Sequence, residues 1–336
     1  MVFSAQKIMK GVLLFFVFMV SFGAVFWGVQ WFSSSVKDLL ENRHSFGLQS
    51  YAADNAEASV ESVSAIPQNI FPAPLEPQLA PAPAPLPEAA LSIKMSSDQE
   101  EVLFSQDENK KLPVASLTKL MVALVTINQY DLAQKITVSA SAMAEEGEQG
   151  ELKEGQVLSV KDLLYITLME SSNRASSLLS EVMGREKFIK EMNDRALAMG
   201  LLNTRFEDAT GLDPKNYSTA RDIVALSKYL FENYPLFREI IGLKKYDLYL
   251  DDGTLHHALA STNQLLGQHH IVGGKTGFTN SAKGCFMTIQ TAAMPPASGL
   301  MADSFSNRQD PYVINVVLGA EDRFGEMEKI ISQINF

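Results

Sequence analysis

Three short motifs combine serine, lysine and small polar residues at spacings that suit nucleophilic catalysis. In chain order they are Ser116-Leu117-Thr118-Lys119, Ser171-Ser172-Asn173 and Lys275-Thr276-Gly277, which read S-x-x-K, S-x-N and K-T-G. Each motif alone occurs by chance in many chains of this length. The three together, in this order, indicate an enzyme that transfers an acyl group to a serine.

The first motif supplies a nucleophile and a base. A serine hydroxyl is a poor nucleophile until another group removes its proton. Apolar residues recur with a helical period over 117–130, so Ser116 is predicted to begin a helix. Residues three apart lie on one face of a helix, which brings the Lys119 amine within reach of the Ser116 hydroxyl. A lysine acts as a base only if its pKa falls, and we expect burial beside a second cation, Lys275, to lower it.

The other two motifs supply proton transfer and substrate binding. Ser171 and Asn173 flank one residue, so both side chains can face a cleft from a loop or helix end. There the hydroxyl can relay a proton, and the amide can hold the lysine or the substrate backbone. Lys275-Thr276-Gly277 follows two glycines in a predicted strand whose edge can pair with an extended peptide. Lys275 and Thr276 then present a charge and a hydroxyl to a terminal carboxylate.

The elements that must position these motifs are predicted from residue 91 onward. Strands are predicted at 91–95, 102–105, 246–250, 270–276, 284–291 and 312–318, and helices at 117–130, 160–183, 186–199, 219–232 and 322–334. This order predicts one sheet with a helical insertion, and a cleft between the two. Residues 293–310 are predicted to form a long loop, either functional or disordered.

The first 43 residues are predicted to anchor the chain in a membrane. Lys7 and Lys10 precede an uncharged apolar stretch, Gly11 to Phe32. At about 1.5 Å per residue in a helix, such a stretch reaches across the hydrocarbon core of a bilayer. We favour an uncleaved single-pass transmembrane helix, with the rest of the chain exported. A signal peptide cleaved after Gly23 is the alternative.

Residues 44–90 are predicted to be a linker. Eight of the 14 prolines lie between Pro67 and Pro87. Proline fixes φ and removes a donor, so this stretch is expected to be extended polyproline II. It would separate the anchor from a catalytic domain at 91–336, and a docking site for a partner is the alternative.

Composition excludes several other classes of function. The net charge of −11 argues against a nucleic-acid partner, because phosphate binding needs a basic surface. The single cysteine, Cys285, rules out an intramolecular disulfide. It lies in an apolar run that reads as a buried strand, so we interpret it as a core thiol and not as a nucleophile.

From about residue 91 onward, the chain resembles the D-alanyl-D-alanine carboxypeptidases of serine peptidase family S11, which are low-molecular-mass penicillin-binding proteins. Beyond the three motifs, the resemblance rests on Asp162-Leu163-Leu164-Tyr165, Met192-Asn193, Asn203-Thr204-Arg205-Phe206, Gly211-Leu212, Ser218-Thr219-Ala220-Arg221-Asp222 and Thr262-Asn263. It implies an α/β fold, the β-lactamase/transpeptidase-like sandwich, in which an antiparallel sheet is flanked by helices and carries a helical subdomain. In this chain one transmembrane helix would precede it.

The resemblance also implies a catalytic and a substrate-binding group of residues. The catalytic group is Ser116, Lys119, Ser171 and Asn173, and the substrate-binding group is Lys275, Thr276, Gly277 and Phe278. Ser116 would be the acylated nucleophile and Lys119 its base, and the backbone N–H groups of Ser116 and Phe278 would form the oxyanion hole. The implied reaction removes the terminal D-alanine from peptidoglycan stem peptides without a metal or cofactor. It is blocked by β-lactam antibiotics and takes place at the cell membrane, on its periplasmic or extracellular side.

Three other readings of the same motifs remain open. A D,D-endopeptidase that cuts peptidoglycan cross-links uses the same site. A class A-like β-lactamase needs a further glutamate for deacylation, and Glu207 stands in a segment that the carboxypeptidase resemblance already explains. A non-catalytic peptidoglycan-binding relative is disfavoured by the intact Ser116 and Lys119.

Two local features add questions to this reading. Arg174 follows Asn173 where the family often has an acid, which would change the charge near the site. His256-His257 and His269-His270 raise the question of a metal site. Adjacent residues on a strand point to opposite faces, so each pair is expected to offer at most one ligand, which disfavours such a site.

Overall fold

The computed structural model describes residues 86–97, 99–292, 310–334 and 336. The predicted anchor at Gly11–Phe32, most of the linker and almost all of the predicted loop at 293–310 lie outside these residues, and their assignments stay predictions. Within the described ranges, none of the helices combines the length and apolar character that a bilayer span requires.

The described residues form a five-stranded sheet, several shorter strands and a set of helices. The strands are β1 (Ala89–Met95), β2 (Glu100–Gln106), β3 (Leu112–Pro113), β4 (Lys135–Thr137), β5 (Val157–Ser159), β6 (Tyr217–Ser218), β7 (Lys245–Tyr249), β8 (Leu255–Ala260), β9 (Ile271–Thr279), β10 (Lys283–Thr291) and β11 (Tyr312–Ala320). The helices are α1 (Thr118–Gln129), α2 (Ala140–Met143), α3 (Val160–Met169), α4 (Asn173–Glu181), α5 (Arg185–Ala198), α6 (Ala220–Asn233), α7 (Pro235–Gly242) and α8 (Arg323–Gln333).

The central sheet is antiparallel and has the strand order β2-β1-β11-β10-β9. Both of its faces are covered, because adjacent residues of β11 point into different apolar clusters. Val316 packs in the main core with the helical block, whereas Val317 packs with Phe286 and with Met327 of α8 on the opposite face. Burial on both faces explains why these strands read as apolar runs in the sequence. The predicted sheet with a helical insertion is confirmed.

The continuous helix predicted at 160–183 is wrong, because the chain breaks there into α3 and α4. A capping box formed by Ser159 and Asp162 starts α3. After its last residue, Ser171 adopts a left-handed backbone with φ of +63°. The hydroxyl of Ser172 then accepts a hydrogen bond from the Ala175 N–H at 3.2 Å and caps α4. The break presents the second motif at a turn between two helices.

The sequence patterns missed the shortest strands β3, β4, β5 and β6, the one-turn helix α2, and two longer elements, α7 and β8. Helix α7 begins with Pro235, which is favoured at the first position of a helix but reads as a breaker in a sequence. Strand β8 pairs with β7 in a short hairpin outside the central sheet. Both lie between α6 and β9, where they bring the chain back to the sheet.

The expectation that His256 and His257 point to opposite faces is also wrong. Leu248 pairs with His257 and Tyr249 pairs with Leu255, so His256 is the extra residue of a β-bulge. A bulge interrupts the alternation of side chains, and the Nδ1 atoms of the two imidazoles lie in direct contact. The Nε2 of His257 lies 3.0 Å from the carboxylate of Glu170. No group of three or more His, Cys, Asp or Glu side chains in the described part of the chain is arranged to hold a metal ion.

Candidate active site

The three motifs, distant in sequence, lie against one another in the structure. Lys119 Nζ is 3.0 Å from Ser116 Oγ and 2.7 Å from Asn173 Oδ1, which joins the first motif to the second. Lys275 Nζ donates to Ser171 Oγ at 2.7 Å, which joins the second motif to the third. The predicted site residues are therefore close neighbours, while the chemical roles assigned to them stay predictions.

The nucleophile motif begins with an irregular turn before α1. Ala115 has a positive φ of +46°, and Ala115 to Leu117 form a 3-10 turn. The Leu117 N–H donates to the Val114 carbonyl at 3.0 Å, and the helix follows from Thr118. Ser116 is half-buried in this turn, whereas its neighbours Ala115 and Leu117 are buried.

Lys119 is fully buried and has three oxygen neighbours. Besides Ser116 and Asn173, the backbone carbonyl of Thr210 lies 2.5 Å from Nζ. An ammonium donates three hydrogen bonds, whereas a neutral amine donates two and keeps a lone pair. When Asn173 and Thr210 accept the two hydrogen bonds of the neutral amine, its lone pair is free to accept the proton of the Ser116 hydroxyl. This arrangement is the one that a general base requires.

Burial explains why Lys119 can lose its proton near neutral pH. Removal from water disfavours the charged form and lowers the pKa of Lys119 to about 7, and the negative charge of Asp208 acts in the opposite direction. Burial, which the sequence analysis expected to lower this pKa, is the main cause of the shift, whereas the expected contribution of Lys275 is not found. Instead, the pKa of Lys275 is lowered well below its usual value by burial, then by Lys119 and then by Arg323.

The second motif is held by the segment that precedes it. The Asn173 amide donates to the Glu146 carbonyl at 2.8 Å, and the Ser172 hydroxyl donates to the Gln149 carbonyl at 2.6 Å. The Arg174 guanidinium donates to the Glu145 carbonyl at 3.3 Å. Arg174, the departure from the family pattern, thus supports the same segment through a backbone oxygen.

The third motif lies on β9, the edge strand of the sheet, next to the nucleophile turn. A Cβ at Gly277 would lie 2.9 Å from the Ser116 backbone N and 3.1 Å from the Ala115 Cβ. Only glycine allows this approach. Thr276 donates its hydroxyl proton to Thr262 at 2.6 Å, and the Phe278 side chain, 56% exposed, lies at the open surface.

Besides Asp208, two contributors to the site were not found from the sequence. The first is the Thr210 carbonyl, and a backbone oxygen leaves no signal in residue types. The second is Arg323 at the start of α8, whose charge acts on Lys275. Its buried Nε has no hydrogen-bond partner among the residues that the structure describes. Arg323 follows the last strand of the central sheet in the chain, and nothing in the sequence indicated that its charge would act on the third motif.

Two residues weighed in the sequence analysis lie apart from this chemistry. Glu207 is exposed, and its carboxylate pairs with the Arg205 guanidinium at 2.6 Å. Cys285 is fully buried in β10, and burial raises the pKa of its thiol to about 12. A thiol with this pKa is protonated at neutral pH and is a poor nucleophile.

Comparison with known proteins gives one family and one fold. A family model described as D-alanyl-D-alanine carboxypeptidase, Peptidase S11, matches residues 80–303, which is more than half of the chain. The crystal structure of the Streptomyces K15 DD-transpeptidase superposes with a TM-score of 0.63 at 24% sequence identity. The match covers 75% of this chain and 98% of that one. The transpeptidase-like α/β sandwich expected from the sequence is confirmed.

Similar proteins in other bacteria carry two different activity names. The D-alanyl-D-alanine endopeptidase of Pseudomonas aeruginosa is 31% identical over 226 residues, which is 65% of this chain and 73% of that protein. The D-alanyl-D-alanine carboxypeptidase DacF of Bacillus subtilis is 33% identical over 208 residues, which is 59% of this chain and 53% of that protein.

We predict that acylation by benzylpenicillin accelerates as pH rises through about 7. Lys119, with a pKa of about 7, accepts the Ser116 proton only in its neutral form, which gains population above that pH. The measurement is the second-order rate of covalent labelling between pH 5 and 9. Lys119→Ala should fold and show almost no labelling. Normal labelling of that variant would remove Lys119 as the base.

We predict that Gly211→Ala displaces the nucleophile turn. Gly211 has φ of +88°, and a Cβ there would lie 2.1 Å from the Ala115 carbonyl oxygen. The clash adds to a backbone strain of about 1–3 kcal/mol, so both the Tm and the labelling rate should fall. Gly200→Ala is the control, because Gly200 has φ of +74° and open space at its Cβ. Equal labelling by both variants would contradict the prediction.

Proposed function

Because this chain belongs to the S11 family of D-alanyl-D-alanine carboxypeptidases, we propose that it removes the terminal D-alanine from peptidoglycan stem peptides. The observation that supports the chemistry is the environment of the Lys119 amine. Two acceptors hold its N–H groups, and the third neighbour is the Ser116 hydroxyl. A serine with its own buried base can attack an amide carbonyl.

In the proposed acylation step, the peptide lies extended along the free edge of β9. Ser116 Oγ attacks the carbonyl between the last two alanines while Lys119 takes the hydroxyl proton. The backbone N–H groups of Ser116 and Phe278 donate to the resulting oxyanion. The amide C–N bond then breaks, and Ser171, hydrogen-bonded to Lys275, passes a proton to the leaving amine of D-alanine. Ser171 takes a proton in return from protonated Lys119, which becomes neutral again.

In the proposed deacylation step, water replaces the departed amine. Lys119 removes a proton from this water, whose oxygen attacks the ester on Ser116. The tetrahedral intermediate collapses, the ester C–O bond breaks and the Ser116 oxygen takes that proton from Lys119, which restores the neutral amine. The shortened peptide leaves with a new terminal carboxylate. β-lactam antibiotics would acylate the same hydroxyl, and slow deacylation would make them covalent inhibitors.

Recognition of the terminal carboxylate is assigned to the end of β9. Lys275 and Thr276 supply an amine and a hydroxyl there, as the sequence analysis proposed. The guanidinium of Arg323 adds a lasting positive charge nearby, because arginine keeps its proton at neutral pH. A carboxylate bound between these groups would favour the charged form of Lys275 and so offset the burial that disfavours it.

A D,D-endopeptidase acting on cross-links is the second candidate. The Pseudomonas aeruginosa relative carries that name, and the Bacillus subtilis relative is named a carboxypeptidase. Both reactions acylate Ser116 at the same kind of carbonyl and differ in the amine that leaves. A cross-linked substrate therefore needs more open space beyond Lys275 than a single D-alanine does.

The proposed cellular setting follows from the N-terminal sequence. Residues 1–43 would anchor the protein in the cell membrane as a single-pass helix, and residues 44–90 would act as a spacer. The catalytic domain at 91–336 would then lie on the periplasmic or extracellular side, where peptidoglycan is found. Protease protection of the intact protein in sealed vesicles is the direct check of this orientation.

We predict that the full-length protein releases D-alanine from a peptide ending in D-Ala-D-Ala, and that Ser116→Ala does not. The substitution removes the attacking oxygen and leaves the rest of the cleft in place. A cross-linked dimer is tested in parallel, with products separated by chromatography. Cleavage of the dimer alone would select the endopeptidase. Cleavage of neither substrate would contradict the proposed function.

We predict that Lys275→Ala raises the KM for a peptide with a free C-terminal carboxylate by about 10-fold or more. Loss of a charged hydrogen bond typically costs about 1.5–3 kcal/mol. The control is Lys283→Ala, because Lys283 lies on the neighbouring strand and forms an exposed ion pair with Glu321. Equal use of free and amidated peptides by the wild type would show that the carboxylate is not recognised.

A further inference from the structure

The turn at 208–213 is organised by one carboxylate. Asp208 is half-buried and accepts five hydrogen bonds from groups within 2.6–3.0 Å. The donors are the Thr210 N–H, the Thr210 hydroxyl, the Gly211 N–H, the Asp213 N–H and the Asn216 side-chain amide. A carboxylate that gathers this many donors fixes the path of the turn.

The same turn touches both members of the catalytic pair. The Thr210 carbonyl accepts from Lys119 Nζ at 2.5 Å, so the turn provides one of the acceptors of the amine. Gly211 packs against the Ala115 carbonyl, directly before the nucleophile. Asn216 extends the contact, since its amide donates to Thr118 Oγ1 at 3.2 Å as well as to Asp208.

Asp208 also brings negative charge to a region of positive charge. Lys119 lies near Lys275 on β9, and Lys275 in turn lies near Arg323 at the start of α8. The hydrogen-bonding neighbours of Lys119, namely Ser116, Asn173 and the Thr210 carbonyl, are uncharged. Asp208 therefore supplies the opposing charge, and it raises the pKa of Lys119 against the effect of burial.

We propose that Asp208 is a positioning residue that holds the Lys119 amine in place and, through its negative charge, governs the pH above which that amine acts as a base. This inference rests on the proposed function, in which Lys119 deprotonates Ser116. Asp208 makes no contact with the reacting atoms and acts through Lys119 and the Thr210 carbonyl. Substitution of Asp208 is expected to have two separable effects. It shifts the pH profile of the labelling rate, and it changes the maximal labelling rate.

The test compares full-length wild type, Asp208→Asn and Glu207→Gln in benzylpenicillin labelling between pH 5 and 9. Asp208→Asn removes the charge and keeps an oxygen acceptor. Because the carboxylate favours protonated Lys119, its loss should move the midpoint of the rise to lower pH by about half a unit or more. The ratio of the rate at pH 6 to the plateau should rise by about threefold, whatever the plateau itself does.

Glu207→Gln is the matched control, since it removes one negative charge from the adjacent exposed residue. The pH at the midpoint of its labelling-rate profile should equal that of the wild type. Asp208→Glu, which keeps the charge, should also retain that midpoint at a reduced plateau. If Asp208→Asn does not fold, Asp208→Ser replaces it, because serine also removes the charge and offers a smaller acceptor.

The outcomes separate this inference from the function on which it rests. If the wild type and all variants are labelled, and Asp208→Asn has the same pH midpoint as the wild type, the proposed role of Asp208 is overturned. The proposed peptidase function would not be affected by that result. An equal shift in Glu207→Gln would also overturn the role of Asp208, because the effect would then be one of general surface charge. Absence of labelling in the wild type would remove the serine acylation chemistry and the inference together.

Discussion

The burial of two lysine amines in one cleft is the constraint on which the rest of this structure depends. An amine removed from water loses hydration that must be replaced, or its charged form becomes too costly. The hydrogen-bond partners described for Lys119 and Lys275 are uncharged oxygens: side chains of Ser116, Asn173 and Ser171, and the carbonyls of Thr210 and Thr276. Ion pairing would satisfy the amines equally well, but it would hold their protons. Uncharged acceptors satisfy the hydrogen bonds of a buried lysine amine and still allow it to lose its proton.

The irregular features around the cleft each supply one of these oxygens or the space for it. The break between α3 and α4, with its left-handed Ser171, places a hydroxyl and an amide on one turn. The turn at 208–213 delivers a carbonyl to Lys119. Gly277 lets an edge strand approach the nucleophile turn. Regular strands and helices form the core, and the irregular segments position the residues of the candidate site.

The sequence predicted the parts of this arrangement that depend on residue type. Apolar runs located the strands of the central sheet, and the helical period after Ser116 located α1. The break at Ser171 was missed because the apolar period on its two sides reads as one helix. The Thr210 carbonyl was missed because any residue carries the same backbone oxygen. His256 was misplaced because a bulge, which residue types do not reveal, interrupts the alternation of the strand.

The position of β11 has a consequence for the order in which the protein folds. Hairpins β1–β2 and β9–β10 each join neighbouring segments, but they do not touch one another, since β11 lies between them. All three motifs precede Tyr312–Ala320 in the chain. During synthesis they are therefore complete before the strand that holds them in one sheet exists. Long-range pairing of this kind forms late and slowly. The unfinished polypeptide thus carries all three motifs before the strand that joins the two hairpins into one sheet has been made.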